Sequence, residues 1–302
     1  MPGDRLPGRI VMTTYAVTGA SGQLGRLVID QLLVRGVAPG AVVAIARTPE
    51  KIAGLAERGV QVREGDYDRP ETLDAALAGV DRLLLVSGSE VGRRVAQHTN
   101  VVEAARRAGV GRILYTSVLR ATTTALVIAP EHKATEEAIR ASGLPYTMLR
   151  NGWYTENYTG QLASYLAQGV VLHAAGEGRI AAATRTDLAE AAAVALTDDA
   201  GADLVYELGG PAFTMGQLAD AVTEVTGTTV VARTLAAEEL VTALTGAGLD
   251  EGTAGFLAAV DANIADGDLD TDEDDLERLL GRPVTGLLDA VRTARESSRQ
   301  TV

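Results

Sequence analysis

Residues 16–33 read AVTGASGQLGRLVIDQLL, an apolar strand-length run that passes straight into Gly19-x-x-Gly22-x-x-Gly25 and then into an amphipathic helical pattern. The three glycines do different things. Gly19 makes the tight bend, Gly22 lets the backbone approach a pyrophosphate, and Gly25 lets the helix pack close to the strand. The helix N-terminus adds unpaired N–H groups and the positive end of its dipole. A merely structural turn needs one glycine. Three in this register, between a first strand and a first helix, indicate a dinucleotide site.

Beyond this turn the chain keeps alternating. Strand-length apolar runs are predicted at Tyr15 to Thr18, Ala41 to Ala46, Gln61 to Glu64, Arg82 to Ser87, Arg112 to Thr116 and Tyr146 to Leu149. Helical patterns fall between them, at Gln23 to Arg35, Pro49 to Arg58, Pro70 to Ala78, Ala96 to Ala108 and Glu131 to Ser142. Continuous apolar strands such as Leu83 to Val86 imply burial on both faces, the condition of a parallel sheet covered by helices. The expected fold is α/β, a doubly wound, Rossmann-like parallel sheet with a smaller interleaved C-terminal region. Residues 1–12 read as a flexible N-terminal extension, 13–152 as the nucleotide-binding domain and 153–302 as the smaller substrate-binding region. In the latter, an Ala-rich helix is expected at Asp187 to Leu196, and a strand near 204–208 is free to rejoin the main sheet.

The second strand ends at Arg47, about 20 residues past the turn, where sites selective for an unphosphorylated ribose place an acidic residue. An Arg there suits a 2′-phosphate, and Lys51, four residues on, can add a second positive charge; the expected cofactor is NADPH, with NADH disfavoured. Asp66, after the third strand, either accepts from the adenine amino group or caps the helix after Pro70.

Composition narrows the function. The 302 residues are 46% hydrophobic and 22% charged, those of a soluble globular protein, and a net charge of -13 disfavours nucleic acid as a partner. Cys is absent, which excludes thiolate metal sites and a Cys nucleophile. No apolar run is long enough to span a membrane and no secretory signal is present, so a cytoplasmic location is the default. Only Lys51 and Lys133 are Lys while 25 basic residues are Arg, so a surface Arg carries little functional information. The three histidines, His98, His132 and His173, lack metal-ligand spacing, and no metal is expected. The stretch DGDLDTDEDDLE mimics a calcium loop at Asp266, Asp268, Asp270 and Glu277. Thr271 stands where a Gly is required, Glu273 is a second departure and no clear helix pair is predicted to frame it, so a solvated acidic loop is the better reading.

The glycine turn, SGSEVGRRVAQHTNVVEAARRAGVGRILYTS at 87–117, EHKATEEAIRASGLPYTMLRNGWYTENY at 131–158 and AAATRTDLAEAAA at 181–193 together resemble the NmrA-like branch of the atypical short-chain dehydrogenases. Within that branch the likeness is greatest to the NAD(P)H:quinone oxidoreductases of the second type, and it covers nearly the whole chain from Tyr15. The resemblance implies cofactor contacts from the turn, here Gly19, Ala20, Ser21, Gly22, Gln23 and Leu24, and from Arg47. It further implies Ser87, Gly88 and Ser89 after the fourth strand, the segment Asn151, Gly152, Trp153, Tyr154 through Glu156, and Arg185. Arg185 is equally readable as an ion pair with Asp187 or Glu190.

Ordinary short-chain dehydrogenases place a Lys four residues after a Tyr, lowering its pKa for proton donation. None of the eight tyrosines has one. Related atypical members carry a Lys where this chain has His132, and Glu136 follows one turn later; Lys133 lies off that face and is expected to pair with Glu137. His132 is therefore the candidate proton donor or substrate orienter, unless it is simply packed against Glu136. Tyr115, Ser117 and Asn157 are further polar candidates around the acceptor, and Trp153 and Tyr154 offer an aromatic wall for a flat molecule, or core packing. His98 reads as an ordinary helix residue.

These features are expected to serve direct hydride transfer from NADPH to a quinone or another conjugated carbonyl, without flavin. Two alternatives stay open: an NADP(H)-binding redox sensor without turnover, and a ketone or imine reductase on the same scaffold. Assembly as a homodimer is left open. The Arg47 reading generates a prediction: Arg47→Asp weakens NADPH binding by roughly tenfold to a hundredfold, the worth of a charge-assisted bond. Titration with NADH should change far less, and equal losses for both cofactors would remove Arg47 from 2′-phosphate recognition.

Overall fold

The structure is a computed structural model that describes residues 12–199, 201 and 203–300, so the flexible extension expected over 1–12 lies outside the described residues except for Met12. The alternation of apolar runs and amphipathic segments folds into nine strands among the described residues. They are β1 (Tyr15–Val17), β2 (Val42–Ala46), β3 (Gln61–Glu64), β4 (Arg82–Leu85), β5 (Arg112–Val118), β6 (Tyr146–Asn151), β7 (Val170–His173), β8 (Leu204–Leu208) and β9 (Val231–Thr234). Seven form one sheet in the order β3-β2-β1-β4-β5-β6-β8, and every neighbouring pair is parallel. Helices cover both faces. Val28 and Leu32 of helix Gln23–Val34 and the alanines of helix Arg185–Thr197 pack on one; Leu73, Val101 and Ile139, from helices Pro70–Leu77, Arg94–Ala108 and Ala129–Ala141, pack on the other. This is the doubly wound, Rossmann-like arrangement, which collects the carboxyl ends of the strands along one edge.

The outer strands are blunted against further pairing. β3 carries Gln61, Arg63 and Glu64, and the β8 edge is occupied where the Glu207 N–H donates to Asp275 Oδ2 at 2.8 Å. β7 and β9 form a separate parallel pair, packed with helices Leu162–Gln168, Met215–Thr226 and Glu251–Ala265 around Tyr158, Phe213, Leu218 and Ile264. No helix of the described residues is long and apolar enough to cross a membrane.

Element ends differ from the sequence pattern where side chains take over backbone bonding. β4 stops at Leu85 rather than Ser87, because the Val86 N–H donates to Thr18 Oγ1 and the Ser87 N–H to Thr116 Oγ1, releasing the chain from the ladder. Residues 49–58 form a 3-10 turn, Pro49–Ile52, before a short helix, Ala53–Glu57. The helix after the fourth strand begins at Arg94, two residues early, and the Ala-rich helix begins at Arg185 on the cap of Thr184. The acidic stretch is, against expectation, framed by two helices, Glu251–Ala265 and Asp275–Leu280. Its carboxylates nonetheless serve the fold: Asp268 Oδ1 accepts from Thr124 Oγ1 and the Ala125 N–H, and Asp270 pairs with Arg179. Lys133 forms no ion pair with Glu137 and stands exposed.

The glycine turn is as tight as the spacing requires. Gly19 has φ +60°, and its carbonyl accepts from the Gly22 N–H at 2.9 Å. A Cβ at Gly25 would lie 2.4 Å from the Gly19 oxygen, whereas one at Gly22 would lie at 3.2 Å. The two positions should therefore respond differently. Gly25→Ala must push helix from strand and should cost about 1 to 3 kcal/mol, lowering the thermal midpoint by several degrees. Gly22→Val should remain folded and lose dinucleotide affinity. Calorimetry and cofactor titration separate the two, and unchanged binding in Gly22→Val would refute the phosphate-turn assignment.

Candidate active site

Two cavities meet along the carboxyl edge of the sheet. The first, of about 490 Å³, lies over the glycine turn and is walled by Gly19, Ser21 to Gly25, Arg47, Asp66, Ser87 to Ser89, Tyr154 and Arg185. The second, of about 440 Å³, is walled by Ser87 to Ser89, Ser117, His132, Asn151 to Tyr154 and Asn157. Ser87, Gly88, Ser89 and Tyr154 belong to both, so the two are adjoining chambers of one cleft.

Five expected residues stand apart, Thr155 and Glu156 lining neither cavity. Ala20 is buried, its N–H spent on the Ile45 carbonyl. Lys51 is exposed on the 3-10 turn and lines neither cavity. Tyr115 is fully buried beneath the second cavity and cannot touch an occupant; its hydroxyl reaches His132 Nδ1 at 2.7 Å instead.

Arg47 reaches the first cavity with a side chain about two-thirds exposed and holds Glu90 at 3.0 Å. Asp66 does not cap the following helix, whose N-cap is Arg69; its Oδ1 accepts from the Asp68 N–H at 3.0 Å. Arg185 stacks 4.4 Å over the Tyr154 ring, donates to Asn157 Oδ1 at 3.1 Å and lies 3.6 Å from Glu156. The expected ion pair with Asp187 or Glu190 is absent, because both carboxylates hold Arg282. Trp153 is half-buried and packs on the second core while lining the second cavity, so wall and packing are joint properties of one ring.

His132 does not contact Glu136. That carboxylate is fully buried and accepts from Ser117 Oγ at 2.7 Å, Arg150 Nε at 2.9 Å and Arg140 at 2.9 Å. Its pKa lies below the ordinary value despite desolvation, because the hydrogen bonds from Arg150 and Ser117 and the charge of Arg150 favour the anion. Since an ionised carboxylate only accepts, Ser117 must donate to it and turns its lone pairs toward the cavity.

Arg94, His98 and Tyr67 were not marked by the sequence. Arg94 is buried beside the second cavity, donating from Nε to the Gly88 carbonyl at 2.8 Å and pairing with Glu131 at 3.0 Å. Among 25 arginines nothing local set it apart. His98, also buried, accepts at Nε2 from the Gly88 N–H at 2.9 Å and meets Thr135 Oγ1 through Nδ1 at 3.0 Å. Tyr67 lies 2.6 Å from Thr18 Oγ1 and 2.9 Å from the Val86 carbonyl, closing the floor of the first cavity. The one usable signal is that residues at strand carboxyl ends and the first turns of the following helices face the cleft.

The donors around His98 assign its tautomer. Thr135 gives its hydroxyl hydrogen to the Glu131 carbonyl, so it accepts from His98 Nδ1–H. The Tyr115 hydroxyl, kept protonated by burial, lies 2.7 Å from His132 Nδ1, and a hydrogen bond donated there leaves the imidazole proton on Nε2. Burial, then the charge of Arg94, lowers both His98 and His132 to about 3, with His98 adding to the shift of His132. Both rings are neutral at physiological pH. Among the described residues no group of His, Asp and Glu is arranged to hold a metal ion.

The chain resembles known proteins over most of its length. The NAD(P)H-binding family matches residues 19–199. The chain is 45% identical to quinone oxidoreductase 2 of Escherichia coli K12 over 277 residues, 91% of this chain and 96% of that protein. It is 32% identical to an NmrA-like family domain-containing oxidoreductase of Aspergillus flavus, over 92% of this chain and 94% of that protein. Among solved structures, the Escherichia coli NADPH-dependent quinone oxidoreductase complexed with NADPH superposes with a TM-score of 0.90 at 44% identity, covering 93% of this chain and 99% of that one.

The buried histidines generate a stability prediction. Each ring takes a proton near 6.5 when unfolded but near 3 when folded, so the unfolded chain binds more protons between those values. Stability is full above pH 6.5 and declines as pH falls toward 3, by about 1.4 kcal/mol per pH unit for each ring. Denaturant midpoints measured from pH 7.5 to 4.5 should show this, with a shallower slope in His132→Asn; equal slopes would contradict the buried neutral ring.

Proposed function

This chain belongs to the NmrA-like NAD(P)H-binding oxidoreductases, and on that footing we propose that it is an NADPH-dependent reductase passing hydride directly to a quinone or another conjugated carbonyl. The observation that carries the reading is the shared wall at Ser87–Ser89 and Tyr154, which joins a dinucleotide-sized cavity to an acceptor-sized one containing His132 and Arg94.

The residues of the first cavity suit the dinucleotide. The backbone at Gly19, Ser21, Gly22, Gln23 and Leu24 would hold the pyrophosphate where a side chain on Gly22 would obstruct it. Arg47, mostly exposed and, among the described residues, paired with Glu90 alone, would exchange that surface pair for the 2′-phosphate, and Asp66 would accept from the adenine amino group. Gly88, Ser89, Asn151, Gly152 and Arg185 would flank the nicotinamide half. The bound nicotinamide supplies the hydride; the protein aligns the acceptor over it and excludes water.

In the second cavity Trp153 and Tyr154 would form an aromatic wall for a flat ring, and Ser117 and Asn157 would orient its polar substituents. Hydride addition to a quinone leaves negative charge on oxygen. Lining this cavity, the Arg94 guanidinium and an Nε2–H of His132 would meet that charge, the neutral imidazole serving as an electrophilic donor rather than a conventional acid. Tyr115 would be the positioning residue, its hydroxyl donating to Nδ1 and so keeping the proton on Nε2. The hydride supplies one hydrogen of the hydroquinone and solvent the single proton that completes it, so no Tyr–Lys pair is needed.

Incubating the protein with NADPH and a panel of quinones, while following the absorbance of the reduced nicotinamide, tests the reading directly; tight binding without oxidation would instead identify a sensor. His132→Ala should lower turnover about 10- to 100-fold and leave NADPH affinity unchanged, because a quinone oxyanion needs less help than that of a simple ketone. Between pH 5 and 8 the parent should show no inflection from this ring, which stays neutral throughout. Unaltered turnover in the variant would make His132 a packing residue.

A further inference from the structure

A third cavity, of about 380 Å³, lies in the C-terminal region between helices Ala237–Gly246 and Glu251–Ala265 and the segment 156–168. It adjoins the acceptor cavity, since Trp153, Asn157 and Phe256 line both. Its walls are largely apolar and aromatic, with Trp153, Tyr158, Tyr165 and Phe256 supplying four rings. Within this lining stands one carboxylate, Asp261, and no Lys, Arg or His. Asp261 Oδ2 accepts from the Ala174 N–H at 2.7 Å, and no cation among the described residues pairs with it. Tyr158 and Tyr165 are each 7% exposed, and neither hydroxyl takes a hydrogen bond from the described residues.

An uncompensated carboxylate inside a ring of aromatic faces is the chemistry that recognises an organic cation: the negative faces attract it and the carboxylate neutralises it. A metal ion would demand more oxygen ligands than one carboxylate supplies. A purely hydrocarbon occupant would leave the carboxylate desolvated and unpaired. Burial pushes the Asp261 carboxyl up to about 6, as expected of a charge awaiting a partner, and it is still mainly ionised at pH 7.5. The chain's net charge of -13 also draws cations rather than anions toward the cleft.

We infer that this chamber is a subsite for acceptors bearing an apolar arm that ends in a cationic nitrogen, an alkylammonium or arylammonium group, held by Asp261 and the rings of Trp153, Tyr158, Tyr165 and Phe256. The inference rests on reading the adjoining cavity as the acceptor site. Trp153 is the only Trp in the chain and lines both chambers, so its fluorescence reports occupancy without turnover.

The test is a fluorescence titration at pH 7.5 with phenyltrimethylammonium and its uncharged isostere tert-butylbenzene. The cation should bind at least tenfold more tightly. Asp261→Asn should erase that difference and leave tert-butylbenzene unaffected; the amide oxygen can still accept from Ala174, so the fold is retained. Leu244→Phe, which narrows the chamber without adding a second Trp, should weaken both probes. In kinetics, a benzoquinone with a trimethylammonium-terminated alkyl arm should show a higher kcat/KM than its neutral analogue, an advantage lost in Asp261→Asn while unsubstituted benzoquinone is reduced as before. Equal affinity for the two probes, or a preference that survives Asp261→Asn, overturns the subsite. Absence of turnover with every quinone, alongside charge-selective binding, would instead remove the acceptor reading and leave the cation site standing.

Discussion

The backbone at Gly152 passes so close to the neighbouring chain segment that a Cβ there would lie 2.2 Å from the Ala181 carbonyl oxygen. At this point β6 has ended, the Gly152 N–H is given to the Leu208 carbonyl at the end of β8, and Tyr154 pairs with Ala183. The crossing brings the segment after β6 and the segment before helix Arg185–Thr197 together over the carboxyl edge of the sheet. Trp153, Tyr154, Asn157 and Arg185 thereby come to one cleft. A larger residue at position 152 would separate the strands, and the wall shared by the two cavities would open with them.

Below that edge the cleft is held by buried polar groups whose bonding is nearly complete. Glu136 joins Ser117 on β5 to Arg150 on β6, and Arg150 continues to Glu207 on β8, so three adjacent strands are tied by charge-assisted bonds under the acceptor cavity. Ion pairs of this kind contribute little net stability, because desolvation opposes them. Their effect is directional. They leave Ser117 with one orientation, donating to Glu136, so its oxygen faces the cavity as an acceptor.

The same arrangement explains why the fourth strand is short. Thr18 and Thr116 take the N–H groups of Val86 and Ser87 through their hydroxyls, and the chain leaves the sheet at the point where it lines both cavities. His98 then accepts from the Gly88 N–H, and Arg94 donates to the Gly88 carbonyl. Both polar groups of a cavity-lining glycine are thus satisfied from one helix, which keeps this loop in place with little side-chain bulk of its own.

The fold was legible in the sequence because it follows from local rules: the glycine spacing, continuous apolar strands and intervening amphipathic helices each state their own structure. The glycine turn, Arg47, Ser87 to Ser89 and His132 were legible for a related reason, since each lies at a strand end or on the first turns of a helix, where a parallel sheet faces its ligand. Tertiary structure alone decided the rest. Whether Tyr115 touched the acceptor depended on the depth of β5, and whether Glu136 met His132 or Arg150 depended on the distance to β6. Arg94 stood out from the other arginines only once the Gly88 loop closed over it. These contacts join residues far apart in the chain, and no local pattern encodes which of several polar partners a buried group will find when burial obliges it to take one.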